Sequence, residues 1–284
     1  MSTASARLVM RQEGNALLGF MERQKNLYKR YWVWEVVWFV YSLVSVMSIG
    51  YLASGLDTLN TGKSASSFNL AQAQLYLLVG SVMWSYLSLV FFEVANGISW
   101  ERWEGTIEYT FMAPCRRSTH LLGIGAFAIV YGTIRTALVV AATVFAFHVD
   151  LSHANLGAAM VLIIAATPAL FGLGIMTAIL PLLSPEKGEQ MTFAVQGILL
   201  LVSGVYYPVT VLPGVLQAMG ILSPMTYALS GLRDALLTQA SVGSLMPRIG
   251  LLLAMGVVFT SAGMWLFRAA EQRAKRLGTL KRSG

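Results

Sequence analysis

The sequence predicts an all-α membrane protein: six transmembrane helices, an N-terminal amphipathic interfacial helix, a cytoplasmic amphipathic helix after the second span, and an outer re-entrant helical hairpin before the last span. Three observations carry this. The 284 residues are 56% hydrophobic and 12% charged, with mean hydropathy +0.64, whereas soluble domains carry about 25% charged residues. The apolar residues gather into six stretches close to the length of about 20 residues that the hydrocarbon core demands. Lys and Arg fall predominantly on alternate connections, which orients the bundle.

The chain divides into residues 1–33, a cytoplasmic amphipathic helix, then 34–268, the six-span domain, and 269–284, a basic cytoplasmic tail. Residues 1–30 place Arg7, Arg11, Arg23, Lys25, Lys29 and Arg30 against Glu13 and Glu22. Leu17, Phe20, Met21, Tyr28 and Tyr31 recur at helical spacing, so an apolar face opposes a basic one, as in a helix lying on anionic lipid. A signal peptide is not predicted, because the first long apolar run begins only near Val36.

Spans are predicted at about 34–56, 70–96, 121–148, 155–183, 190–207 and 248–268. With the N-terminus inside, 16 of the 20 Lys and Arg lie on the cytoplasmic side. Lys63, Arg233 and Arg248 lie outside and Arg135 lies within the third span. The positive-inside rule then places both termini in the cytoplasm. The same asymmetry accounts for the net charge of +7, and no basic and aromatic platform for nucleic acid accompanies it. Membrane lipids are the partner that flanking basic residues imply.

Two stretches depart from plain spans. Residues 99–114 combine Glu101, Arg102, Glu104 and Glu108 with a stripe of Trp100, Trp103, Ile107 and Phe111, and Pro114 ends the helix. Connections between antiparallel helices need only a few residues. A longer one that turns large aromatics toward the cytoplasm suggests a docking surface. Residues 206–232 are apolar, nearly uncharged and broken by Pro208, Pro213 and Pro224, too short in each piece to cross. Irregular backbone at membrane depth needs protein or a water-filled cavity around it, so a pair of short helices entering from outside and returning is predicted.

At these two places the sequence resembles the permease subunits of type-2 ABC exporters. The matching residues are Glu101-Arg102-Trp103-Glu104-Gly105-Thr106-Ile107-Glu108, with Ala113-Pro114 and Leu121-Leu122-Gly123 after them. Further on come Ser203 to Pro208, Leu212-Pro213, Ser223 to Leu229 and Leu232-Arg233. Trp103 departs from the charged residue usual in the first motif. The resemblance implies that Trp100, Glu101, Arg102, Trp103, Glu104, Gly105, Thr106, Glu108 and Pro114 form a coupling helix on an ATPase subunit. It implies that Tyr206, Tyr207, Pro208, Leu212, Pro213 and Pro224 belong to an outer gate. A separate ATPase subunit holding ATP and Mg, a second permease copy or a paralogue, a bacterial-type plasma membrane, and export of a hydrophobic or amphipathic drug or lipid-like compound are further implications. A polysaccharide or glycolipid is the alternative cargo within the family.

No cofactor and no catalytic residue is predicted in this chain. Gly62-Lys63-Ser64 lacks the glycine and the strand of a phosphate-binding loop, and Gly123-Ile124-Gly125 opens a span rather than joining strand to helix. Small residues there allow close helix contact. His148, Asp150 and His153 lack a fourth metal ligand, and Cys115 is the single cysteine. An ATP-independent secondary transporter is the rival of another class. Such transporters interrupt spans in corresponding places of two halves, and here only the C-terminal half is interrupted. An intramembrane enzyme would need acid, base or metal groups converging at one depth. Arg135, near the midplane, is either a helix-packing residue or a candidate for lining a cavity. Glu93 is the nearest acid in that reading, and Glu35 is expected at the interface.

Overall fold

The computed structural model describes residues 3–59, 70–149, 154–184 and 186–278. Gly62, Lys63, Ser64, Asp150 and His153, singled out above, lie outside these, as does the end of the basic tail. Every regular element among the described residues is helical: α1 (Thr3–Arg30), α2 (Trp32–Leu59), α3 (Leu70–Trp103), α4 (Ile107–Met112), α5 (Arg117–Phe147), α6 (Leu156–Leu183), α7 (Gly188–Val202), a 3-10 turn (Val209–Val211), α8 (Gly214–Leu222), α9 (Pro224–Leu237) and α10 (Val242–Leu277).

Five helices, α2, α3, α5, α6 and α10, are long and apolar enough to cross a membrane, or up to six spans if the bent pair of α8 and α9 counts as one. Their limits overlap the predicted spans. The predicted fifth span is α7, whose 15 residues reach about 22 Å, less than the hydrocarbon core of about 30 Å. The helix stops there because Ser203 to Tyr207 turn away through Gly204, whose φ is +72°. The axes of α8 and α9 differ by 82° across Ser223. Pro224 begins α9, where its missing N–H and fixed φ suit a first helical turn.

The apolar helix α6 is central and packs on α3, α7, α9 and α10. Its small side chains let α10 come close: a Cβ at Gly172 would fall 2.4 Å from the Thr260 nitrogen, so only glycine permits this approach. Thr260 Oγ1 also donates to the Pro168 carbonyl across the same interface, at 3.0 Å. The main buried cluster is built from α3, α6, α9 and the first half of α10, with Val46, Val139 and Val205 at its edges. A second cluster joins Val94, Ile98, Ile107, Phe111, Leu121, Ile175 and Phe267 at the opposite end. Thus the bundle has two ends. One carries α4, the C-termini of α3 and α10 and the N-terminus of α5, and the other carries α8, α9 and the N-terminus of α6.

Helix α1 spends its apolar stripe on α5. Leu27 is buried, the Phe20 ring lies 4.7 Å from His120, and Tyr28 meets Phe127 and Tyr131 at 4.9 and 4.8 Å. A Cβ at Gly123 would come within 2.6 Å of Phe20, which gives that glycine the close-contact role predicted for it. Leu8, Met10 and Leu18 stay exposed.

Candidate functional site

Residues 99–114 do not form one helix. Trp100 to Trp103 are the last turn of α3, which ends at Gly105 with φ +70°. The Thr106 N–H bonds the Glu101 carbonyl at 2.9 Å and the Gly105 N–H bonds the Arg102 carbonyl at 3.2 Å. This is the left-handed glycine termination of a helix, and it makes an elbow where the pattern predicts a continuous stripe. Beyond it α4 has six residues, and Ala113 and Pro114 lead into α5.

The elbow sorts the stripe into two sides. Ile107 and Phe111 plug the second buried cluster, while Trp103, Tyr109 and Met112 are 68%, 74% and 72% exposed. Trp100 lies between, its ring 5.1 Å from Tyr31 and 6.0 Å from Trp103. Glu108 and Pro114 are exposed as well. The acids expected on the outer faces separate in the same way: Glu108 is exposed, with Arg102 near its carboxylate, and Glu101 is wholly buried.

Burial of a carboxylate requires compensation, and Glu101 obtains it from two helices that are distant in sequence. Arg23 of α1 donates to its Oε1, and His120 Nε2 of α5 lies 2.8 Å from the same oxygen. Arg23 also donates to Thr106 Oγ1 at 2.8 Å and approaches Glu104 at 3.5 Å, and Arg30 stands 3.8 Å from Glu104. Further along α1, Glu13 accepts from Thr119 and from the Arg116 backbone, and Gln12 donates to the Pro114 carbonyl at 3.3 Å. The N-terminal helix therefore straps the elbow from end to end. Arg102 is buried beside it.

From the other side Arg117 ties the elbow to α10. It donates to Glu271 at 3.0 Å and to the Thr110 carbonyl at 2.8 Å, donates to the Phe111 carbonyl, and stacks over the Phe111 ring at 4.4 Å. Lys275 completes the set, 2.7 Å from Glu271. Burial pushes the Cys115 thiol above its ordinary range; Arg117 opposes this, and Glu13 and Glu101 add to it. Sequence reasoning missed Glu13, Arg23, Thr119, His120 and Glu271. The available signal was an amphipathic α1 bearing isolated acids, but pairing across such separations has no local pattern.

At the far end Arg233, read as an outer-loop charge, is buried. It donates to the Gly204 carbonyl at 2.8 Å and to the Val205 carbonyl, and lies 3.6 Å over the Tyr76 ring. It thus satisfies carbonyls that the end of α7 leaves open. Gln217 clamps the carbonyls of Thr210 and Leu212 at 3.0 and 2.7 Å, and Ser203 bonds Ser223 at 2.9 Å. Tyr206, Tyr207 and Leu212 are half-buried, Pro208 and Pro213 exposed, and Pro224 buried. Tyr207 donates to the Leu201 carbonyl at 2.8 Å.

Arg135 donates to the Trp38 carbonyl of α2 at 2.6 Å. The neighbouring Tyr131 donates to Glu35 in the first turn of α2, and Tyr28 donates to Glu93. Among the described residues no group of His, Cys, Asp and Glu could hold a metal ion.

Residues 16–237 match the family described as ABC-2 type transporter. Comparison with curated proteins finds no match.

Proposed function

The chain belongs to the ABC-2 type transporter family and is a multi-pass transporter permease; from that premise we propose that it is the membrane subunit of an ATP-driven exporter for a hydrophobic or amphipathic, drug or lipid-like compound. ATP and Mg are held by a separate subunit. The observation that carries this reading is the elbow of α3 and α4, which turns Trp103, Tyr109 and Met112 outward while Ile107 and Phe111 are wedged among α3, α5, α6 and α10. Force on the exposed side passes into four spans without an intervening flexible segment. An elbow strapped by Arg23 and Arg117 moves with those helices as one body.

A second permease, identical or paralogous, completes the path. In support, α2 leaves Trp34, Val37, Trp38, Tyr41 and Val44 exposed along its length, a face wide enough to meet both lipid and a partner helix. The charge asymmetry supports cytoplasmic termini, with the elbow inside and the α8–α9 bend outside as the gate. A bacterial-type plasma membrane is the setting that the family resemblance suggests for this reading.

The test is purification of the tagged chain from its native membrane in mild detergent. An ATP-hydrolysing subunit in stoichiometric amount supports the reading, and a substrate panel of drugs, lipids and oligosaccharides then asks which class stimulates hydrolysis. Active transport by this chain alone, reconstituted without ATP, would identify a secondary transporter instead. Topology has its own check: a cysteine at Gly214, where a new side chain meets nothing within 4 Å, placed in a Cys115→Ala background. It reacts with an impermeant maleimide from outside, and reaction only from the cytoplasm refutes the assigned sidedness.

A further inference from the structure

At the end of the bundle that bears α4, a recess of about 380 Å³ opens between α5, α6 and α10. Its polar lining is Arg268, Ser118 and Ser261, and its apolar lining includes Leu122, Met264 and Trp265. Ser261, Trp265 and Arg268 follow one another at helical spacing on one face of α10, and Ser118 and Leu122 do so on α5. Arg268 on α10 and Ser118 on α5 are the lining positions nearest the helix ends, Leu122, Met264 and Trp265 come next, and Ser261 lies one turn deeper than Trp265. Thr260, also in the lining, has its hydroxyl committed to Pro168.

Other groups here are paired with one another. Arg117 and Lys275 share Glu271, the carboxylate nearest Arg268 along α10, and Arg23 and Arg30 serve Glu101 and Glu104. Among the described residues Arg268 and Ser118 make no such bond, and together they leave a guanidinium and a hydroxyl available to an acceptor. Leu122 and Trp265 are 45% and 69% exposed, an arrangement suited to a wall shared with acyl chains, with Trp at headgroup depth. The volume lies in the lower part of the range of ligand pockets, about 300–1,000 Å³, enough for a headgroup with its glycerol while the tails remain in the bilayer.

From this we infer a specific site for an anionic phospholipid, whose phosphate is held by Arg268 and the Ser118 hydroxyl and whose upper chain carbons lie on Leu122, Met264 and Trp265, with Ser261 at the floor of the recess. The inference rests on the membrane setting of α10 and is independent of what the permease carries.

The test uses the full chain in neutral detergent with phosphatidylglycerol, phosphatidylcholine or inorganic phosphate added, read by native mass spectrometry and thermal unfolding. Phosphatidylglycerol is retained preferentially. Arg268→Gln lowers its retention about five- to tenfold, the factor corresponding to one interfacial Arg, and Ser261→Leu, which fills the recess, does the same. Arg273→Gln, an exposed cation outside the recess, leaves retention unchanged. Equal retention of the two lipids, or equal effects of the Arg268 and Arg273 variants, overturns the site. Stabilisation by phosphate alone, matching that by lipid, replaces it with a free-anion site.

Discussion

Arg23 and Glu101, 78 residues apart in the chain, meet in an ion pair whose carboxylate is wholly sealed from water. The pair joins the N-terminal helix to the last turn of a membrane-crossing helix, and His120 shares the same oxygen. Loss of either partner should loosen the elbow. Arg23→Met is expected to cost about 1.5–3 kcal/mol, the range for a hydrogen bond to a charged group. A double-mutant cycle with Glu101→Gln should show coupling of about 0.5–3 kcal/mol. Denaturant titration in mixed micelles measures both.

Arg135 gives a second expectation. Its bond to the Trp38 carbonyl joins α5 to the second turn of α2, and a guanidinium inside a membrane span is costly unless satisfied. Arg135→Gln keeps a donor but shortens the reach, so the melting temperature falls whatever substrate is present. An unchanged melting temperature with an altered response to anionic compounds would instead assign Arg135 to the transport cavity.

Cys115 offers a pH-dependent readout of the elbow. Its thiol is pushed up chiefly by burial, so at neutral pH the thiolate is scarcer than for an ordinary cysteine and maleimide labelling is slow. Labelling should accelerate only at a pH above the usual thiol range. Arg117→Gln removes the opposing positive charge and should shift the labelling profile further toward alkaline pH, provided the elbow keeps its fold.

How far the sequence reveals this fold depends on the range of the signal. Spans such as Leu156–Leu183 and Val242–Leu277 announce themselves by composition, since lipid constrains every residue of a crossing helix. The bend of α8 and α9 is legible because Pro208, Pro213 and Pro224 cluster in one short, nearly uncharged stretch, whereas single prolines such as Pro168, Pro181 and Pro247 are carried inside continuous helices. The elbow is harder: Trp100, Trp103, Ile107 and Phe111 keep helical spacing, and only the left-handed Gly105 divides them. The identity of the inward side was decided by His120, Arg23 and Arg117, each on another element. Glu104 illustrates the consequence. The pattern places it on a docking face, but Arg23 and Arg30 lie against it, so Glu104→Lys tests the strap, and Glu108 and Tyr109 test the docking.

The central claim is that the exposed side of this elbow receives the ATPase subunit. The most direct measurement is copurification of that subunit with a Trp103→Ala/Tyr109→Ala variant, with the melting temperature of the permease taken alongside. Both side chains are largely exposed, so folding should change by no more than about 0.5 kcal/mol each. Two central aromatics of an interface are worth about 2 kcal/mol or more apiece, so the recovered ATPase should fall at least tenfold. Full recovery of an active ATPase with the doubly substituted permease would contradict the account.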